Sequence, residues 1–324
     1  MLVWLAGVSL GWAQGVEGAG IGAHGAPEEV PAVVDVAPTE TAIWAAWRPG
    51  DLVVTDPGDL SSAAPLRYAF EAGDRHTFRL TGSMTMTMTM MGLDPTVVEV
   101  PDWQADGWIR VASVHDGVAT ASVRFTAFEL NGDVAPEMRE TFRAVGKQVR
   151  AYRGETDIDA RGRTLARRDN SAEVFDENTR QMMDLGGMLF QLPEEPVGLG
   201  AVWHTGALKA SSAAANLQLE TLSTFTLTAR EGDDATIGLT SKIRLAEGSA
   251  GTVPMPGLEG VNLRFDRVEG SGTGTIAIDL SSPLPTRSEA KEHSEVVIAS
   301  DGGPLPLNMT QTMDMTMVLT SDAP

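Results

Sequence analysis

The sequence predicts a mainly β protein made of two long-stranded, curved antiparallel sheet units, of the half-barrel or open-barrel type, joined by one helix. Two observations predict the sheets. Apolar and polar residues alternate strictly through residues 78–90 and again through 305–319, and Asp-Gly or Asn-Gly pairs that favour tight hairpins separate the shorter alternating runs. A third observation, apolar residues at helical spacing between 171 and 192, predicts the helix that joins the units.

The N-terminal stretch predicts export. Leu2–Leu10 is a short apolar run followed by the small residues Gly11 and Ala13, so residues 1–13 are expected to be a cleaved signal peptide. A membrane-spanning helix needs about 20 apolar residues, and we therefore expect a periplasmic or extracellular protein with no membrane span after cleavage. Residues 14–64 are rich in Ala, Gly and Pro without a sustained period, which predicts a linker.

The first β unit is predicted at residues 65–170, and its clearest strand is 78–90. One parity of this strand carries Phe, Leu and Met, and the other carries mostly Thr. At about 3.3 Å per residue the two longest alternating runs would span roughly 43–50 Å, which is far longer than an ordinary strand. A strand of this length with one apolar face must coil around a core, so the sheets are predicted to be strongly curved.

The connecting helix is predicted at residues 171–192 and the second β unit at 193–324. Ser171 or Asp176 can cap the helix, and Pro193 and Pro196 end it. Its apolar face is expected to pack on a sheet through Phe175, Met182, Leu185 and Leu189. Short matches recur in the same order in the two β units, which favours an internal repeat.

Composition excludes several classes of function. The chain has no cysteine, which removes disulfides, thiolate nucleophiles and cysteine-based zinc sites. Its formal charge of −20 argues against a nucleic acid partner, because like charges repel. The five histidines lack metal-binding spacing, and no phosphate loop, nucleophile elbow or zinc-protease motif occurs, so we expect neither a cofactor nor an enzyme.

Methionine is concentrated in the first and last long strands, although it is not a favoured strand residue. These side chains fill an irregular core, line a cavity for a long apolar ligand, or bind Cu(I) through their soft thioethers. Gln311 lies in the inward register among them, where a buried amide needs a partner. The candidate ligand-binding residues are therefore Met84, Met86, Met88, Met90, Met309, Gln311, Met313, Met315 and Met317.

Several short motifs resemble those of a family of exported bacterial proteins of unknown function, whose members are often described only as lipoproteins or hypothetical proteins. They cover about residues 65–320 and comprise Leu66-Arg67-Tyr68 to Gly73-Asp74, the run from Met84 to Met90, Pro193 to Gly200 with Trp203, Pro283 to Arg287 and the closing Met-Thr strand. The chain lacks the anchoring cysteine of lipoproteins, and the resemblance implies no catalytic residues. More distantly, the predicted long curved strands with a helix are similar to periplasmic lipoprotein carriers, whose half-barrel holds acyl chains.

The sequence thus leads to a functional expectation with alternatives. The first is a non-enzymatic envelope protein that binds a hydrophobic, lipid-like molecule in an apolar groove. The second is a structural or protein-interaction module of the envelope with a fully packed core, and the third is Cu(I) binding through the methionine strands.

Overall fold

The structure is a computed structural model that describes residues 51–90, 93–132, 136–169, 171, 188–212, 217–247, 249, 252–254, 262–301 and 308–322. Thirteen strands and two helical segments make up the described elements. The strands are β1 Leu52–Asp56, β2 Arg75–Met90, β3 Thr96–His115, β4 Val118–Leu130, β5 Gly154–Asp159, β6 Thr164–Asp169, β7 Val202–Ser212, β8 Leu217–Glu231, β9 Asp234–Leu245, β10 Thr252–Pro254, β11 Asn262–Asp279, β12 Pro285–Asp301 and β13 Asn308–Ser321. The helical segments are a 3-10 turn at Leu60–Ser62 and the helix α1 at Pro136–Ala151.

All strands belong to one antiparallel sheet, which confirms the mainly β fold. The order is β1-β7-β8-β9-β11-β12-β13-β2-β3-β4-β5-β6, and β10 pairs only with β11. The sheet is open, with β1 and β6 at its edges. The two predicted β units are continuous, because β13 pairs with β2 along its full length.

The sheet is strongly curved, as the long strands predicted. In this order β8 and β5 are eight strand spacings apart, which is roughly 38 Å in a flat sheet at about 4.8 Å per spacing. Yet a chain of contacts joins the two strands. The ring of Phe190 packs against Phe225 of β8, and the carbonyl of Phe190 accepts a hydrogen bond from the hydroxyl of Tyr68. The backbone N–H of Tyr68 in turn donates to the carbonyl of Ala160 beside β5. The sheet must therefore curl round so that its inner face encloses a core.

The core is sealed at the lower end of the sheet, which we define as the end with the 115–118, 231–234 and 279–285 connections. Residues 64–70 and 188–201 cross the gap between the sheet edges there, joined by the Ala64–Val197 bridge. Arg67 ties them together by donating to the carbonyls of Pro193 and Glu194. Tight turns match the predicted Asp-Gly signals, with Asp116 and Gly117 both at positive φ.

The upper end is the end at which β2 finishes and β13 begins. The connections β7–β8, β9–β11, β12–β13 and β2–β3 all run there, as the antiparallel strand order dictates. Large parts of these connections lie outside the described residues. The helix α1 follows β4 from the same end and packs Phe142, Val149 and Gly146 inward, with the ring of Phe128 against Gly146.

Three expectations need correction or lie outside the described residues. The range 14–64, predicted as a linker, contains the strand β1 and the 3-10 turn. The strand β1, Leu52–Asp56, pairs with β7. Residues 14–50 and the predicted signal peptide lie outside the described residues. The predicted helix at 171–192 falls mostly on the undescribed residues 172–187, and residues 188–192 form irregular chain in which Leu189 is buried. Residues Pro136–Ala151, which were predicted to be part of the first β unit, form the helix α1.

None of the described helices could cross a membrane, because α1 is too short and too polar.

Candidate ligand-binding site on the inner face of the sheet

The two methionine strands lie side by side at the centre of the sheet. Their register places the candidate residues directly opposite one another, in rungs that all face inward. The rungs, from the upper end downward, are Met90–Met309, Met88–Gln311, Met86–Met313, Met84–Met315 and Gly82–Met317. The structure therefore brings all nine predicted residues together on one surface.

Burial divides this surface into two parts. The lower residues Met84, Met86, Met313, Met315 and Met317 are buried. The upper residues Met88, Met90 and Met309 are only half-buried. We refer to Met84, Met86, Met313 and Met315 as the deep methionine cluster.

The half-buried residues continue across the neighbouring strands as one apolar surface. Four buried residues, Leu263, Phe265, Val268 and Ile298, form a second core cluster near the upper end, separate from the main core. Half-buried apolar side chains pack around it. Together with the upper methionines they form what we call the shallow apolar surface: Leu219, Leu245, Val296, Met88, Met90 and Met309.

A belt of buried polar side chains lies at the level between the two core clusters. It includes Thr221, Ser241, Ser294, Glu292 and Gln311. The Oγ of Ser241 and the Nε2 of Gln311 are buried with no hydrogen-bond partner. An unmet buried polar group costs about 1–3 kcal/mol, so such groups call for an explanation.

Sequence reasoning found Gln311 but missed Glu292, which is 5% exposed on the inner face beside Met315. The reason is the composition of β12 around residues 288–295. Its inward positions Ser288, Ala290, Glu292 and Ser294 are as polar or small as its outward ones, so this segment has no alternation of hydropathy. The only available signal was the polarity of a long strand within an otherwise alternating chain.

The inner face of β11 is made of glycines at the same level. Gly270, Gly272 and Gly274 lie opposite Ser294, Glu292 and Ala290 of β12. A Cβ at Gly272 would lie 2.5 Å from the Oγ of Ser241, and one at Gly274 would lie 2.5 Å from the carbonyl of Glu289. The small residues therefore permit the close approach that a tightly curled sheet requires here.

The outer face of the same strands is a polar groove. A depression of about 390 Å³ is lined by residues that include Ser83, Thr85, Lys291 and Thr316, and the Nδ1 of His293 lies 2.8 Å from the Oδ1 of Asp314 at its edge. Both partners of this pair are exposed. Throughout the described ranges, no group of three or more His, Asp or Glu side chains is placed to hold a metal ion.

Comparisons with known proteins give little more. No family model matches the chain, and no curated protein matches it. Among solved structures, it is similar to a loop-deletion mutant of OmpT, an outer membrane protein of Vibrio cholerae, with 10% identity, coverage of 76% of this chain and 100% of that one, and a TM-score of 0.23. It is also similar to the outer membrane protein OprG from Pseudomonas aeruginosa, with 8% identity, coverage of 79% and 99%, and a TM-score of 0.21. An outer membrane channel from Pseudomonas putida F1 matches with 9% identity, coverage of 82% and 99%, and a TM-score of 0.13. These scores are too low to bear on the architecture or the function.

Proposed function

We propose that this chain is a non-enzymatic, exported envelope protein that holds a hydrophobic, lipid-like ligand against the shallow apolar surface. The observation that carries the proposal is the change in burial along one face. The inner face is sealed at the lower end, whereas apolar side chains of the same face are half-buried near the upper end.

The chemistry of this surface suits an apolar chain. Ligand sites for small molecules are concave and mostly apolar, with few polar groups. Three of the six residues are methionines, whose unbranched and polarizable side chains adapt to ligands of variable shape. Binding of an apolar ligand would also shield these side chains from water, which stabilises the complex by about 25 cal/mol per Å² of apolar surface buried.

Gln311 supplies a polar group at the floor of the surface. Its amide nitrogen is buried and unpartnered, and its neighbours across the strands are Val296 and Met88 of the shallow apolar surface. A ligand carbonyl or carboxyl oxygen at this depth would accept the missing hydrogen bond. The proposal therefore specifies a ligand with an apolar chain and an oxygen acceptor near the end that enters first.

Binding of Nile red to the purified protein tests this proposal, with palmitic acid as the displacing ligand. Val296→Trp fills the shallow apolar surface from the inner face, whereas Val297→Trp places the same ring on the outer face of the same strand. We expect saturable binding that palmitic acid displaces, and we expect Val296→Trp to abolish it while Val297→Trp leaves it intact. Absence of saturable binding by the unmodified protein, or equal effects of the two substitutions in folded variants, would refute the proposal.

A further inference from the structure

The deep methionine cluster places four thioethers on two adjacent rungs. Met84 lies directly opposite Met315, and Met86 directly opposite Met313. Residues opposite each other on one face of an antiparallel pair have Cβ atoms about 4.5–5.5 Å apart, and successive rungs on that face are about 7 Å apart. Flexible methionine side chains from these four positions can therefore bring three or four sulfurs to one point.

A carboxylate lies in the same row. The register runs from Ser241 through Gly272 and Glu292 to Met315 and Met84, so Glu292 is the next inward side chain beside Met315. Gly272 leaves the position on the other side of Glu292 without a side chain. Glu292 is buried on this face, so its carboxylate would place a negative charge in the same row as Met315 and Met84.

Neutral sulfurs beside one carboxylate match the needs of a soft monovalent cation. Thioethers select Cu(I) among biological metals because the ligand and the ion are both soft. Four thioethers alone would leave the positive charge of Cu(I) buried without compensation, and the Glu292 carboxylate balances it. Thioethers also remain available as ligands in an oxidising compartment where thiols form disulfides, and this chain contains no cysteine.

The upper methionines offer a route to the cluster. Met88, Met90 and Met309 are half-buried and continue the same stripe to the upper end, so thioethers are present at each rung from the outside to the cluster. An ion that exchanges between successive thioethers can reach a buried site without crossing a purely hydrocarbon layer.

We infer that Met84, Met86, Met313 and Met315, with Glu292 as the charge-balancing group, form a binding site for one Cu(I) ion. The site is separate from the shallow apolar surface and does not depend on lipid binding. No change in copper oxidation state is involved, because the soft ligand set binds Cu(I) as it arrives.

The test uses the full chain under anaerobic conditions, titrated with Cu(I) in competition with a chromophoric Cu(I) chelator. We expect one equivalent to bind and X-ray absorption to show sulfur neighbours. Met315→Leu and Met86→Leu conserve volume and should each weaken binding about tenfold or more, and Glu292→Gln should also weaken it. Met317→Leu is the matched control, because Met317 is buried on the same face of the same strand but lies opposite Gly82.

Three results would overturn the assignment: no Cu(I) retained by the unmodified protein against the chelator, equal losses for Met317→Leu and Met315→Leu, or copper bound only by nitrogen and oxygen. The last result would place the ion at a surface position such as His293 and Asp314, which His293→Ala would verify. Nile red binding by Met315→Leu is measured in parallel, so that failure of the copper site is not confused with failure of the lipid site.

Discussion

Neighbouring residues of the methionine strands have opposite environments. Met86 is 1% exposed on the inner face, whereas Thr87 is half-buried on the outer face opposite Thr312. This difference follows from the period of two in a strand, which sends successive side chains to opposite faces. A change of charge at each position therefore tests whether the stripe is part of the core.

Met86→Asp is expected to lower the free energy of unfolding by about 3–5 kcal/mol, because it puts an unpaired charge into the core. Thr87→Asp should cost less than about 1 kcal/mol because its side chain reaches water. Urea denaturation of the two purified variants measures both values. Similar small losses at the two positions would show that the stripe does not face a core.

His204 connects the edge strand to the sheet. It is 6% exposed, its Nε2 lies 3.0 Å from the Oγ1 of Thr55 in β1, and its Nδ1 lies 2.8 Å from the Oγ1 of Thr224 in β8. Burial lowers the pKa of His204 below its ordinary value of 6.5, because it disfavours the charged imidazolium.

The lowered pKa predicts a stability loss in acid. Below pH 6.5 the unfolded chain binds a proton at His204 more readily than the folded chain does. The free energy of unfolding therefore keeps its full contribution from His204 above that pH, and loses it as the pH decreases toward the folded-state pKa. Thermal midpoints measured between pH 7.5 and pH 5 should fall more steeply for the unmodified protein than for His204→Asn. All other ionisable groups are the same in the two proteins, so equal slopes would contradict the assignment.

At the level of elements, the approach of β2 to β3 depends on a glycine. Gly82 is followed by a break in the β2–β3 register, and a Cβ at this position would lie 2.4 Å from the ring of Trp103. That ring is buried and stacked on Phe128 with centroids 6.1 Å apart, so it has no room to move.

Gly82→Ala should therefore destabilise the protein by about 1–3 kcal/mol through overpacking. The control is Gly238→Ala in β9, where the nearest atom to a new Cβ is the Cγ2 of Thr228 at an ordinary 3.6 Å. This second change is expected to be neutral or to stabilise by up to about 1 kcal/mol, since alanine restricts the unfolded chain. Chemical denaturation of the pair decides the point, and a tolerated Gly82→Ala would mean that the strands are not held this closely.

Some elements could be predicted from local sequence and others could not. The alternation over 78–90 and 305–319 anticipates β2 and β13 within a few residues at each end. The helix α1 was missed because six of its 16 residues are charged and its apolar stripe is narrow, although Phe142, Val145 and Val149 recur at helical spacing and Pro136 suits a first turn. The strand β1 was missed because an edge strand of five residues gives almost no periodic signal within Ala- and Pro-rich text.

At the scale of the whole molecule, β2 and β13 join the two halves of a single sheet. They are the first and last long strands among the described residues, and their pairing is at the centre of the strand order rather than at a closing seam. The alternation in the sequence predicted that each of these two strands has one apolar, inward face, and that the two strands lie close together. It could not place Glu292 and Ser241 beside them, because the order of strands in a sheet depends on contacts between distant residues.

A continuous sheet predicts cooperative unfolding of both halves. Native-state hydrogen exchange should show peptides of β4 and β9, which lie on opposite sides of the β2–β13 pair, losing protection at the same urea concentration. Removal of β13 by truncation before Asn308 should abolish protection in both. Loss of protection in β9 alone would mean that the N-terminal half folds independently.

The central claim is that the inner face of this sheet holds a lipid-like ligand at its upper end. Native mass spectrometry of the protein after detergent-free purification tests it most directly, with Val296→Trp and Val297→Trp prepared in parallel. The account predicts that the unmodified protein and Val297→Trp carry a bound species that organic extraction identifies as an acyl-chain lipid, and that Val296→Trp has only the mass of the polypeptide. A bare polypeptide mass in all three samples, together with no uptake of added palmitic acid, would contradict the account.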